Sequence, residues 1–374
     1  MVGAKRLHLI LIMLLVVIFI TQNSHVYSTG EELEITIEDA LHRTIVLNRI
    51  PQRVVSIAPG ITETMFSLGL EYTLVGVDDV SYNDTCLGIS EYLKKKGVEH
   101  VGGYWWSAIS IEKILALKPD LVLADAGAHK PLLNIFEENN ITVVFLHGGS
   151  ANSINDIYSD IMTIGRIFNI DTAKVLELIN NIENNITKAR SMIKSENLSI
   201  LVIVGFYNGI WVAGKATFID DLLSRLSLNN VANVIGWKAV NIETIRSWNP
   251  DIVIVANMGF IDEKMLKETG LYDLETPLVL LSPNETNLLV RPGPFVGLGA
   301  LLLARKIANF TQIIPNQMEL TDGGTVTVTK TETVTSTKTK IVEKVEPAYD
   351  QAYMLVAIII VLATIVLFNI ISKK

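Results

Sequence analysis

One unit is written twice in this chain. The first copy runs Ser110-Ile111-Glu112-Lys113-Ile114 and then Leu117-Lys118-Pro119-Asp120-Leu121-Val122-Leu123-Ala124. The second runs Asn241-Ile242-Glu243-Thr244-Ile245 and then Trp248-Asn249-Pro250-Asp251-Ile252-Val253-Ile254-Val255. Each reads as a short capped helix, a Pro-Asp turn, and an unbroken apolar run. A strand that is apolar at every position has both faces covered, which is the situation inside a parallel sheet flanked by helices. The repeat therefore implies an α/β chain with two similar lobes.

Between the copies lies a stretch with a different period, Ser153 to Lys194. Apolar residues fall at Ile154, Ile157, Ile161, Ile164 and Phe168, then at Val175, Ile179, Ile182, Ile186, Ala189 and Ile193. Steps of three and four place them on one helical stripe. Asp171 can cap a second segment, so the stretch is either one long kinked helix or two in series. It reads as the backbone, 153–195, that joins an N-terminal lobe over 29–152 to a C-terminal lobe over 196–315. The expected class is α/β: two Rossmann-like lobes with central parallel sheets, joined by a long helix.

The remaining strands follow from local pattern. Arg53 to Ala58 is a buried strand halted by Pro59-Gly60, with a helix from Thr62 to Leu68. Strands follow at 74–77 and 143–146, and the second lobe restarts at 200–204. Its helices fall near 217–226, 243–248 and 262–268, its late strand at 278–281, and its closing helix at about 294–310. Ile35 to Ile37 and Thr44 to Leu47 read as a strand pair ahead of the first lobe.

The two ends differ from this middle. Lys5-Arg6 followed by the apolar run Leu7 to Ile20 has the form of a secretory signal, read as residues 1–28 and either cleaved after Ser28 or kept as an anchor. Threonine and valine alternate from Thr321 to Glu346 without a core-forming pattern, read as a solvated stalk within 316–350, with an edge hairpin as the other reading. An apolar run follows, 351–371, long enough to span a membrane, and Ser372-Lys373-Lys374 puts its end on the cytoplasmic side. The lobes are then tethered at the extracellular face of the cell membrane by a single C-terminal pass. Glycosylation sequons at Asn83, Asn140, Asn185, Asn197, Asn284 and Asn309 fit an exported glycoprotein.

The formal net charge of −8 argues against nucleic acid as a partner, because phosphate binding needs a basic surface. The single cysteine, Cys86, excludes an internal disulfide. The sequence holds no Gly-x-Ser-x-Gly elbow, no His-Glu-x-x-His pair and no phosphate-cradling glycine loop, so nothing in it supports an enzyme or a bound cofactor.

Open parallel sheets bind ligands past the carboxyl ends of their strands. The residues there are Pro59, Ile61 and Thr62, then His129 and Lys130, with the cluster Tyr104-Trp105-Trp106 beside Gly102-Gly103. In the second lobe they are Tyr207, Trp237, Asn257 and Arg291. Aromatic residues flanked by glycine and few charges suit a large, flat, partly apolar ligand, although a tryptophan can equally be core. Arg291 suits a ligand carboxylate or phosphate, or a plain salt bridge. His129 and His147 sit at strand ends but lack the close spacing of a metal site.

Three segments together resemble the ABC-importer substrate-binding proteins for vitamin B12, iron-siderophores and haem. They are Arg53 to Glu63, Leu117 to Leu123, and Gly214 to Leu223, within a likeness running from about Glu38 to Phe310. The resemblance implies two lobes on a rigid helical backbone with the ligand between them, a monomer, and partners in an ABC permease and its ATPase. It also implies that Glu63 is the first-lobe acid that docks onto permease arginines, and the sequence predicts no cationic partner near it. Where the second docking acid is expected the chain has Asn229, leaving Asp220 or Asp221 as substitutes. The expected function is a membrane-tethered receptor for an iron chelate or corrinoid. A bare-metal or oxyanion receptor is the rival within transport, and a surface enzyme or sensor ectodomain the rival outside it.

Overall fold

The computed structural model describes residues 34–195, 197–256 and 263–313. The expected signal, stalk and membrane span, and Asn257 among the candidate ligand residues, lie outside the described residues. Among those described, no helix is long and apolar enough to cross a membrane.

The chain opens with an antiparallel pair, β1 (Ile35–Glu38) and β2 (Thr44–Leu47). A parallel sheet follows, built from β3 (Val54–Ser56), β4 (Leu74–Val77), β5 (Glu99–His100), β6 (Leu121–Asp125) and β7 (Val143–Leu146), in the order β5-β4-β3-β6-β7. The C-terminal half contains β8 (Ser199–Gly205), β9 (Ile210–Ala213), β10 (Asn229–Asn230), β11 (Trp237–Val240), β12 (Ile252–Ala256) and β13 (Leu278–Leu281). Its order is β11-β9-β8-β12-β13, with β10 beside β8.

The repeated unit folds alike in both halves. Ser110 accepts a hydrogen bond from the Lys113 N–H to cap the helix Ile111–Leu117, and Asn241 does the same from Thr244 for Ile242–Trp248. Both helices stop on a left-handed residue, Lys118 at φ 48° and Asn249 at φ 46°, each followed by proline. A residue before proline is pushed out of the right-handed helical region, so the stop is written locally. The apolar runs then enter the sheets as β6 and β12, buried throughout.

The halves are not full repeats. Asn208 at φ 49° and Gly209 at φ 133° turn the chain back after β8, so β9 runs antiparallel to β8 and β11 antiparallel to β9. That local reversal overrides the parallel pattern expected from the first half. A helix at Pro283–Val290 also lies outside the sequence expectation, although Ser282 and Glu285 form a capping box at its start. The closing helix runs Val296–Ile313.

The connector is two helices in series, Ile154–Ile167 and Thr172–Met192. Ser153 and Asp156 form a capping box on the first, and Asp171 caps the second by accepting from the Ala173 N–H. Gly165 lies so close to Val175 that a Cβ there would sit 2.6 Å from a valine methyl, so the helices pack tightly across the break. The expected stripe is buried, and it shares one core with Leu121 and Leu123 of the first sheet and Ile200, Val202 and Ile254 of the second. Burying each such side chain stabilises the fold by roughly 1.5–3 kcal/mol.

Polar bonds then fix the C-terminal half to the connector. The Phe218 N–H donates to the Ala151 carbonyl at 3.0 Å, and the Ile154 N–H to Asp221 Oδ2 at 2.9 Å. Arg225 donates to Asp221, to Glu183 and to Asn155, reaching both connector helices from one side chain.

Candidate ligand-binding seam

The halves touch where the loop after β7 meets the first residue of β11 and the start of the helix Phe218–Arg225. Asp125, the last residue of β6, organises the first-half wall. Its Oδ1 accepts from the N–H groups of Gly127 (2.7 Å) and Ala128 (3.2 Å), and its Oδ2 from the Tyr104 hydroxyl (2.7 Å) and the Gly149 N–H (2.8 Å). One carboxylate thus ties a strand end, a helix start and two loops together. Burial, with Asp125 beside it, holds the Tyr104 phenol well above its ordinary range.

Across the seam, the Trp237 indole N–H donates to the carbonyl of Gly149 at 2.9 Å. Its ring packs on Phe218 at 5.8 Å between centroids. Sequence reasoning had placed Trp237 beside a ligand. It did not find Asp125 or Gly149, for which the only signals are an acid at a strand end and the pair Gly148-Gly149 past the next strand.

The candidate residues divide by exposure. Trp105 (60% exposed), Trp106 (48%) and Tyr207 (74%) present broad aromatic surface to solvent, and Lys130 is exposed beside them in sequence to His129. Tyr104 packs against Trp105 at 5.3 Å between ring centroids. Pro59, Ile61 and Thr62, expected to face ligand, are instead buried. They form the strand-to-helix turn opening the helix Pro59–Ser67. There the Thr62 hydroxyl bonds Ser56 and accepts from Ser81, leaving no free polar edge.

His129 is also buried, contrary to expectation. The Asp125 N–H donates to its Nδ1 at 3.0 Å, which leaves the proton on Nε2, 2.6 Å from the Tyr104 carbonyl that accepts it. Desolvation lowers its pKa and keeps the ring neutral. His147 is half-exposed and bonded through Nδ1 to Asp160 at 2.8 Å, which raises its pKa. Among the described residues no group of three or more His, Cys, Asp or Glu is placed to hold a metal ion.

Glu63 departs furthest from expectation, and Arg291 takes the salt-bridge side of its two readings. Glu63 was placed on a solvent-facing docking tip without a cation nearby. It is 1% exposed, and Arg291 Nη1 donates to its Oε1 at 2.6 Å. A carboxylate sealed beneath its own arginine presents no charge to a partner surface. The same nitrogen donates to Asp84 Oδ2 at 2.5 Å, so Arg291 is engaged in salt bridges, the alternative to a ligand contact. The substitutes Asp220 and Asp221 are engaged too, with Lys215 and Asn230 and with Arg225 and the Ile154 N–H. Asn229 is exposed in the short β10.

Two α/β halves joined by a two-helix connector, with aromatic rings exposed in loops of each, suit a binding protein. A family model described as periplasmic binding protein matches residues 54–276, and the chain belongs to that family. It is 28% identical over 271 residues to an uncharacterized ABC transporter substrate-binding lipoprotein of Bacillus subtilis, covering 67% of this chain and 82% of the relative. It is 24% identical over 258 residues to a vitamin B12-binding protein of Pectobacterium carotovorum, covering 67% and 86%. The solved periplasmic heme binding protein of Pseudomonas aeruginosa has the same fold, with a TM-score of 0.56 at 23% identity, covering 69% of this chain and 93% of that one.

Proposed function

We propose that this protein is the extracellular receptor of an ABC importer that takes a metal chelate or corrinoid between two Rossmann-like lobes and delivers it to a permease. The lobes are 29–152 and 196–315, on the helical backbone 153–195. The chain is a monomer and not an enzyme, and it is held at the membrane by the segment 351–371 after removal of 1–28. The observation that carries the reading is the exposure of Trp105, Trp106 and Tyr207, large aromatic rings left in loops of the two halves. Large apolar rings left in water at such a place suit a ligand with a broad flat face. Relatives named for vitamin B12 and haem support the same size and shape of ligand. A bare metal ion suits the site less well, because both ring nitrogens of His129 are already engaged.

The test is to identify the ligand that co-purifies from native membranes by mass spectrometry, and to titrate the purified protein with haemin and cyanocobalamin by calorimetry. Binding of one with a Kd of micromolar or below, weakened by loss of Trp105 or Tyr207, is the expected result. Binding only of a free metal ion or an oxyanion sinks the reading.

A further inference from the structure

Five of the six glycosylation sequons have their asparagine side chain among the described residues, and the fold sorts them. Asn185 lies inside the helix Thr172–Met192, and Asn284 in the first turn of Pro283–Val290. On a helix, residues two apart point to different sides, so the hydroxyl of the sequon is carried away from its asparagine. Thr286 is accordingly 0% exposed although Asn284 faces water. Asn83 follows the short helix Asp79–Tyr82, but both ends of its sequon are engaged. Its Nδ2 donates to the Asp79 carbonyl at 2.8 Å, and the Thr85 hydroxyl donates to Asn284 Oδ1 at 3.4 Å.

Asn140 and Asn197 differ. Each occupies a left-handed turn, at φ 54° and φ 61°, and each is exposed. Asparagine adopts this conformation more readily than most residues. Each turn leads directly into a strand, where the first and third side chains of the sequon share one face and the middle one takes the other. Ile141 is buried and Leu198 packs on the core, while Thr142 is exposed and Ser199 half-buried. Among the described residues neither asparagine side chain makes a hydrogen bond. Asn140 and Thr142 also line an open cavity of about 430 Å³, where Asn48, Arg49 and Lys118 offer donors to sugar hydroxyls.

The two free sequons hold corresponding places in the two halves. Asn140 precedes β7 and Asn197 precedes β8, each at the amino end of a strand that pairs in parallel with its neighbour. Asn83 and Asn284 instead follow β4 and β13, at carboxyl ends. We propose that Asn140 and Asn197 carry N-linked carbohydrate, which covers the amino ends of both sheets and leaves the carboxyl ends bare. The transfer draws on a lipid-phosphate-linked oligosaccharide and its transferase. A bond forms from the asparagine Nδ2 to the anomeric carbon, that carbon's bond to the phosphate oxygen breaks, and the lipid phosphate leaves as the amide gives up a proton. The proposal rests on export of the two halves, which is part of the receptor reading above. A bulky hydrated sugar at these turns displaces no contact, because both already face water. On Asn185 it would meet the closing helix, where a Cβ on Gly297 would lie 3.1 Å from the asparagine Cβ.

The test is peptide mass spectrometry of the full chain purified from native membranes, with protease added to intact cells as the measure of export. Sugar is expected on the peptides that hold Asn140 and Asn197, and on none that hold Asn83, Asn185 or Asn284. Thr142→Ala and Ser199→Ala keep the asparagines but break the sequons, and each should remove the sugar from its own site alone. A protein cut from outside yet bare at Asn140 or Asn197 overturns the proposal and leaves the receptor reading standing. Sugar on Asn83, Asn185 or Asn284, or sugar kept on Asn140 in Thr142→Ala, overturns it equally. A protein shielded from added protease overturns the export on which both readings depend.

Discussion

Trp237 and Gly149 are 88 residues apart in sequence and joined by a single indole-to-carbonyl hydrogen bond across the seam. The bond links the strand β11 to the loop that Asp125 organises. Trp237→Phe removes the donor and leaves a ring against Phe218. It is expected to destabilise the protein by about 1 kcal/mol, the usual net value of such a bond. Chemical denaturation at constant pH measures it, and an unchanged midpoint would show that the bond contributes nothing.

Arg225 joins the helix Phe218–Arg225 to both connector helices. Replacing it by Met keeps the aliphatic stem and discards three bonds, two of them to carboxylates. The expected loss is on the order of 2–3 kcal/mol, because partners are left without their donor. Hydrogen exchange should speed up selectively at the start of the first connector helix and around Glu183, mid-way along the second. Uniform exchange across the molecule would argue that the contact is only local.

Gly60 has no room for a side chain, because the Pro292 carbonyl stands where its Cβ would be. Gly60→Ala must push the 291–294 segment away from the first helix, at a cost of roughly 1–3 kcal/mol for overpacking. Melting by calorimetry should show a drop of several degrees. A melting point within one degree of wild type would mean that the segment yields freely.

His147 is predicted to titrate above its ordinary 6.5, because its hydrogen bond to Asp160 favours the charged ring. A histidine whose folded pKa is raised adds stability that is complete below pH 6.5 and is lost as pH rises through the folded value. Nuclear magnetic resonance of the imidazole protons gives the midpoint directly. Asp160→Asn should bring it down towards or below 6.5, and a midpoint that does not move removes Asp160 as the cause.

Trp105 is 60% exposed and its ring meets that of Tyr104 at 5.3 Å between centroids. Trp105→Ala should change stability by no more than about 0.5 kcal/mol, as exposed sites generally do. Under the receptor function proposed above, it should nevertheless weaken binding of haemin or cyanocobalamin by about ten-fold, the effect of losing one stacked aromatic contact. Unfolding curves and calorimetric titration separate the two effects, and full affinity in the variant would exclude Trp105 from the ligand surface.

Much of the architecture is local and was legible before any fold. The twin helix-turn-strand units end where Lys118 and Asn249 precede proline, the connector divides where Asp171 can cap, and the isoleucine stripe has the period of a helix. Each depends on residues within a few positions of one another. The reversal at Asn208-Gly209 is equally local, but its turn signal competes with the parallel pattern of the repeat. Only the tertiary structure decided which polar residues are buried against each other. Nothing near Glu63 in sequence announces Arg291, and nothing near Gly149 announces Trp237. A charged side chain beside a strand end has the same sequence signature whether a ligand or a residue 228 positions away neutralises it. Burial settles the difference, and burial is a property of the packed halves rather than of any segment.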